Sequence, residues 1–186
     1  MMKCILGAFC VVASAVLSEA QGTINFVNLQ PGVGLNAPVY EADGVTKCSG
    51  PQFTAELLVG TAANNLASVA TTGFLTGTSA GYYDAGTQTI NSISIGNPAW
   101  VQVRVWNIAS GSSFIQAQAS GLPNSWWASS AFTVALGGGT INPNPPAALT
   151  GLGNSPVYLN SVPEPSVLGL LGLGAAAALS RNRRRL

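Results

Sequence analysis

Short apolar runs alternating with polar residues dominate the middle of this chain. The clearest is Ala99-Trp100-Val101-Gln102-Val103-Arg104-Val105-Trp106-Asn107. Successive side chains of a strand point to opposite sides. Val101, Val103 and Val105 therefore share one face, expected in the core, and Trp100, Gln102, Arg104 and Trp106 share the other. Phe53 to Val59 alternates in the same way, with Phe53, Ala55, Leu57 and Val59 inward and Glu56 outward. Ile24 and Phe26 pattern a first strand within Gly22 to Leu29. Further strands are expected at Leu66 to Thr71, Thr87 to Ile95, Ser113 to Ala119, Ala131 to Leu136 and Val157 to Leu159. Gly, Ser, Thr and Asn punctuate these runs, helix signals are nearly absent, and Asp43-Gly44 marks a tight turn. The pattern predicts an all-β body, an antiparallel β-sandwich of roughly seven to nine strands with an immunoglobulin-like arrangement. Gly137-Gly138-Gly139 and Asn142-Pro143-Asn144-Pro145-Pro146 break the alternation and lead to a last strand or stalk. No fixed-period repeat is visible.

The two ends of the chain have a different character. Lys3 followed by the apolar run Ile5 to Leu17, then Ser18-Glu19-Ala20, reads as a secretory signal helix cut before Gln21. Phe9 stands where lipid attachment at Cys10 would need a small residue, so Cys10 is not read as a lipidation site. At the other end stand Val162-Pro163-Glu164-Pro165-Ser166, the uncharged stretch Val167 to Leu179, and Arg181, Arg183, Arg184 and Arg185. The prolines fix φ and bias Val162 and Glu164 toward extended backbone, so no helix runs back into the body. As a helix the apolar stretch reaches only about 20 Å, against a hydrocarbon core about 30 Å thick. It is a marginal span, helped by bilayer thinning and snorkelling arginines. The arginines favour the cytoplasmic side. The expected organisation is a signal peptide at 1–20, a β-sandwich ectodomain at 21–142, a Pro/Gly-rich connector with a last strand at 143–161, and a tail at 162–186 that includes a short hydrophobic helix.

These three tail elements, in this order at the C-terminus, resemble the PEP-CTERM sorting signal of exported bacterial proteins. The resemblance covers roughly the last 25 residues. It implies recognition by an exosortase-type membrane protease, removal of the tail, and delivery to the cell surface or an extracellular polymer matrix. With the N-terminal signal it also implies passage through signal peptidase and the secretion translocon, with a transiently membrane-anchored intermediate. More loosely, Gly22-Thr23-Ile24-Asn25-Phe26, Ala37-Pro38-Val39-Tyr40, Val101 to Trp106 and Phe132-Thr133-Val134 resemble a recurrent exported ectodomain that carries this same tail in environmental bacteria. That group implies no activity for named residues.

Composition narrows the chemistry of the body. Residues 21–162, about 140 in all, suffice for one domain with a real core. The formal net charge is +1 over the whole chain. The body alone carries Lys47 and Arg104 against Glu41, Asp43, Glu56 and Asp84, and is slightly acidic. It has no basic patch, which argues against nucleic-acid binding. The chain contains no His, so a His-based triad or Cys–His dyad is excluded. Zinc would need several Cys or His. Cys48 is the lone cysteine of the body, read as a small buried hydrophobe or else an intermolecular bridge.

Two acids suffice for glycoside hydrolysis if they flank one bond. Nothing local orients these four, so no catalytic residue is assigned. Glu41-Ala42-Asp43-Gly44 faintly resembles a calcium loop but lacks the further oxygens and the distal Glu, so it reads as a turn. No metal or cofactor is expected. Trp100, Trp106, Trp126 and Trp127, with Tyr82-Tyr83 in a Gly-rich loop, are the remaining lead. Flat aromatic faces beside amides such as Gln102, Gln116 and Gln118 are what sugar rings stack on; equally, aromatics pack cores. The sequence therefore reads as an exported, structural or adhesive, non-enzymatic surface or matrix protein. The alternative is a carbohydrate-binding module associated with extracellular polysaccharide.

Overall fold

The computed structural model describes residues 21–138 and 144–160. The signal helix and the C-terminal hydrophobic helix expected from the sequence lie outside these residues. Among the described residues no helix is long and apolar enough to cross a membrane.

The body is mostly β. In chain order it contains β1 (Gln21–Val27), β2 (Leu29–Gln30), β3 (Leu35–Asn36), β4 (Val39–Tyr40), β5 (Phe53–Ala62) and β6 (Asn65–Gly73). Then come β7 (Asp84–Ser94), β8 (Pro98–Asn107), the helix α1 (Phe114–Ala119), β9 (Trp126–Ala128), β10 (Phe132–Ala135), β11 (Ala147–Ala148) and β12 (Val157–Tyr158). One sheet runs β11-β1-β7, and a larger one runs β10-β8-β5-β6 with β9 also on β8. β2 pairs with β3 and β4 with β12 in two small ribbons.

The alternation read from the sequence positions the core. Val101, Val103 and Val105 of β8 and Phe53, Ala55, Leu57 and Val59 of β5 are all buried. They meet Ile24 and Phe26 of β1 and Ile90 and Ile93 of β7 in one cluster, so the inward faces of both sheets share a core. Leu149, Val157 and Leu159, beyond the proline-rich stretch, pack into this same cluster. The β5–β6 hairpin closes tightly at Gly60, where a Cβ would fall 1.9 Å from the Asn65 carbonyl oxygen. Asn28 is a buried polar tie. Its Nδ2 donates to the carbonyls of Ala37 (2.8 Å) and Gly81 (3.0 Å), and its Oδ1 accepts from Tyr83 N (2.8 Å).

Two expectations need correction or remain unsupported. Ser113 to Ala119, read as a strand, is the short helix α1 with Ser113 as its N-cap. Ser113 Oγ accepts from Gln116 N, and burying Phe114 and Ala117 on one side fixes the helical period. The immunoglobulin-like order is not established by these pairings. β5 and β6, adjacent in sequence, form a hairpin within one sheet, and β11 with β1 and β12 with β4 pair in parallel. In the C-terminal segment, the two-residue strand β11 adds to the free edge of β1, and β12 forms a separate two-stranded ribbon with β4.

Candidate functional site

The outward face of β8 carries Trp100, Gln102, Arg104 and Trp106, as the alternation requires. Register places Glu56 opposite Arg104 and Gly60 opposite Trp100, and Thr71 of β6 opposite Glu56. α1 covers one end of this face. Phe114 meets Trp106 edge-on at 6.4 Å and Trp126 at 5.7 Å between ring centroids, and Ala117 completes this small cluster. The Arg104 guanidinium lies 4.8 Å from the centre of the Phe114 ring, a cation–π contact. Its Nε donates to Gln102 Oε1 at 3.1 Å. Beside the helix this leaves a groove of about 340 Å³ lined by Glu56, Thr71, Arg104, Trp106, Ser112 and Ser113, among others. It offers a cation, a carboxylate and hydroxyls within one concavity, groups suited to a ligand rich in hydroxyls. The Trp106 Nε1, buried at its edge, has no hydrogen-bond partner.

The four tryptophans are not gathered into one platform. β9 pairs Trp126 with Trp106 and Trp127 with Val105, so the two neighbours point to opposite sides of the sheet. Trp126 joins the cluster under α1. Trp127 packs on the main core and, with Ser129, Ser130, Phe132 and Leu152, lines a second groove of about 310 Å³. Gly151 sits against the Phe132 ring there, where a Cβ would fall 2.2 Å from it. Trp100 is half-buried at the other end of the outward face, opposite Thr133 of β10. Tyr83 is buried between Phe26 (5.0 Å) and Phe74 (5.5 Å), and burial pushes its phenol far above the ordinary range. Tyr82 donates to Asn36 Oδ1 at 2.9 Å. Lys47 lies over both the Tyr82 and Tyr40 rings, at 5.6 and 5.8 Å.

Asp43, Glu41 and Asp84 are engaged in local contacts. Asp43 Oδ1 accepts from Val45 N (2.9 Å) and Thr46 N (2.8 Å), and Oδ2 accepts from the Thr46 hydroxyl. The Thr46 hydroxyl first, then these amides, hold its carboxyl below the ordinary aspartate range. The Asp43 carboxylate is thus accounted for by the turn. Glu41 accepts from Asn124 Nδ2 at 3.0 Å, and burial, with the nearby Asp43 charge, pushes its carboxyl up. Asp84 accepts from Gly86 N at 2.8 Å, a local contact at the start of β7. Among the described residues no three of His, Cys, Asp and Glu converge to hold a metal. Cys48 is fully buried; burial, then the Glu41 charge, push its thiol up to about 12.

A site not foreseen lies where the described body ends. Asn160 Oδ1 accepts from Ser125 N, Ser125 Oγ and Trp126 N, each at 2.9 Å. Its Nδ2 donates to the Leu122 carbonyl at 2.9 Å. Its backbone N–H donates to Trp126 O and its carbonyl accepts from Asn124 N, both at 2.9 Å. Asn124 donates on to Glu41 and accepts from Ala42 N, binding the 41–46 turn into the same junction. Asn124 has φ 56, the left-handed backbone that Asn tolerates better than most residues. Two scattered asparagines give no periodic signal, so sequence reasoning had no way to see this latch.

The sorting residues Val162, Pro163, Glu164, Pro165, Ser166, Arg181, Arg183, Arg184 and Arg185 lie outside the described residues. Residues 161–185 match the family model of the PEP-CTERM protein-sorting motif. No curated protein matches the chain, and no solved structure does.

Proposed function

We propose that this chain is an exported protein whose tail is read and removed by an exosortase-type membrane protease. The β body is then left at the cell surface or in the extracellular matrix as a structural or adhesive, non-enzymatic component. The observation that carries the reading is the PEP-CTERM protein-sorting motif at residues 161–185, beginning one position after the Asn160 latch. Residues 1–20 would open the secretory route through the translocon and be removed by signal peptidase. The stretch Val167 to Leu179, too short for a durable span, would hold an intermediate in the membrane with its arginines inside. The body is read as a sandwich whose sheets meet through their inner faces, an architecture shared by many cell-surface domains. A non-enzymatic role is supported by Asp43, whose carboxylate caps its own turn, by Asp84, whose carboxylate is held by Gly86 N at the start of β7, and by the absence of His from the sequence. Fractionation of a tagged protein tests the reading. Surface or matrix recovery supports it, and retention in the cytoplasm ends it.

The second reading is a carbohydrate-binding module. It is favoured by the two grooves in which aromatic residues stand beside serine hydroxyls, one at Trp106 and the other at Trp127 and Phe132. Extracellular polysaccharide would be the partner. Tryptophan fluorescence against a polysaccharide panel tests it. No shift or quenching with any polymer removes it.

A further inference from the structure

The parallel pairing of β12 with β4 settles which features share an end of the body. β4 runs into the 41–46 turn and β12 runs into Asn160 in the same direction, so turn and exit point lie together. Asn124 joins them by bonding Glu41 on one side and Asn160 on the other. Loop 121–125 therefore belongs to the same end. This end also holds three of the large apolar side chains that the body leaves in water: Val45 at 80% exposure, Leu122 at 51% and Tyr158 at 49%.

The length of chain beyond Asn160 says what comes to this end. Three steps separate Asn160 from Pro163, a reach of at most about 11 Å. Asn160 itself is held by six hydrogen bonds, two through its backbone and four through its side chain. Little slack is available at the start. A protease that grips the Pro-Glu-Pro segment must bring its own surface to within about that distance of the latch. We propose that Val45, Leu122 and Tyr158 form the face on which the tail-processing membrane protease seats itself, a body contact additional to the sorting motif. The inference rests on the tail-processing reading above.

The test uses the full chain in membranes of a host that contains an exosortase, with tail removal followed by intact mass. Val45→Lys and Leu122→Lys introduce charge at exposed positions; Val33→Lys, and Val69→Lys on the outer strand β6, do so away from this face. The doubly substituted Val45/Leu122 chain should lose its tail about tenfold more slowly, the factor that corresponds to about 1.4 kcal/mol. The two controls should process at the wild-type rate, and all chains should reach the membrane fraction equally. A Gly/Ser spacer of about twelve residues after Asn160, with an r.m.s. span of about 20 Å, should erase the difference by freeing the body from the protease. Equal rates for patch and control variants overturn the proposal. So does a difference that survives the spacer, which would place the effect in the fold. Reduced membrane recovery of the patch variants before processing also overturns it, because the face would then belong to lipid. A wild-type chain that keeps its tail defeats the processing reading itself; normal wild-type processing with indifferent variants defeats only this inference.

Discussion

Replacing Asn28 by alanine should weaken the body more than its single side chain suggests. Asn28 is 1% exposed and ties three segments together at the end of β1. Its removal leaves the Tyr83 N–H and the Ala37 carbonyl without the partners that Asn28 supplies, at 2.8 Å each. The Gly81 carbonyl is spared, because Val39 N also donates to it at 2.8 Å. Each orphaned buried group costs about 1–3 kcal/mol, giving about 2–6 kcal/mol in all. A domain of this size has only about 5–15 kcal/mol to lose. With a urea m-value of about 2 kcal/mol/M, the unfolding midpoint should fall by about 1–3 M. Urea titration followed by tryptophan fluorescence measures this directly. Asn107→Ala is the control: its Oδ1 caps an exposed turn at Ala109 N, and the midpoint should barely move. If Asn28→Ala shifts the midpoint no more than that control, the reasoning about buried pairing fails.

Cys48 should resist iodoacetamide in the native protein and react fully in denaturant, since it is buried and its thiol is pushed up to about 12. Native labelling, or a disulfide-linked dimer on a non-reducing gel, contradicts this. Asp43 and Glu41 should titrate in opposite senses. The lowered pKa of Asp43 adds stability that is present above its unfolded value and lost as pH falls through the folded one. The raised pKa of Glu41 adds stability present below its unfolded value and lost as pH rises through the folded one. Amide shifts of Val45 and Thr46 should report an Asp43 midpoint below ordinary Asp, and the Asn124 side-chain amide a Glu41 midpoint above ordinary Glu; the reverse order refutes the hydrogen-bond assignment. Replacing Glu164, or both Pro163 and Pro165, should block tail removal while the urea midpoint stays at the wild-type value. Normal processing of these variants would show that the protease does not read this segment.

Strands were legible where one face is dry and the other wet. Val101, Val103 and Val105 could be placed in the core because the pleat forces residues of equal parity to one side, and the structure buries all three. Phe53 to Val59 was readable for the same reason. α1 was missed because Phe114-Ile115-Gln116-Ala117-Gln118-Ala119 alternates almost as well as a strand. The overlooked signal was Ser113 followed three residues later by Gln116, the spacing of a capping box. Here Gln116 Oε1 accepts from Ser112 N at 3.0 Å, closing the helix start. The tryptophans show a different limit. Parity within β8 correctly put Trp100 and Trp106 on one face, but no local pattern says that a helix will cover one and leave the other half-buried. Pairing between distant segments, such as β12 with β4, leaves no trace in a single sequence, and with it the Asn160 junction stayed invisible. The tail motif was legible, because such an address is read as a linear string, and the family model matches residues 161–185.

The central claim is that both chain ends are transport labels removed on the way out. Intact mass of the protein recovered from surface or matrix fractions tests it most directly. The account predicts a species beginning at Gln21 and ending at or near the Pro163-Glu164-Pro165 segment, without the arginines. A full-length species confined to the cytoplasm would contradict it.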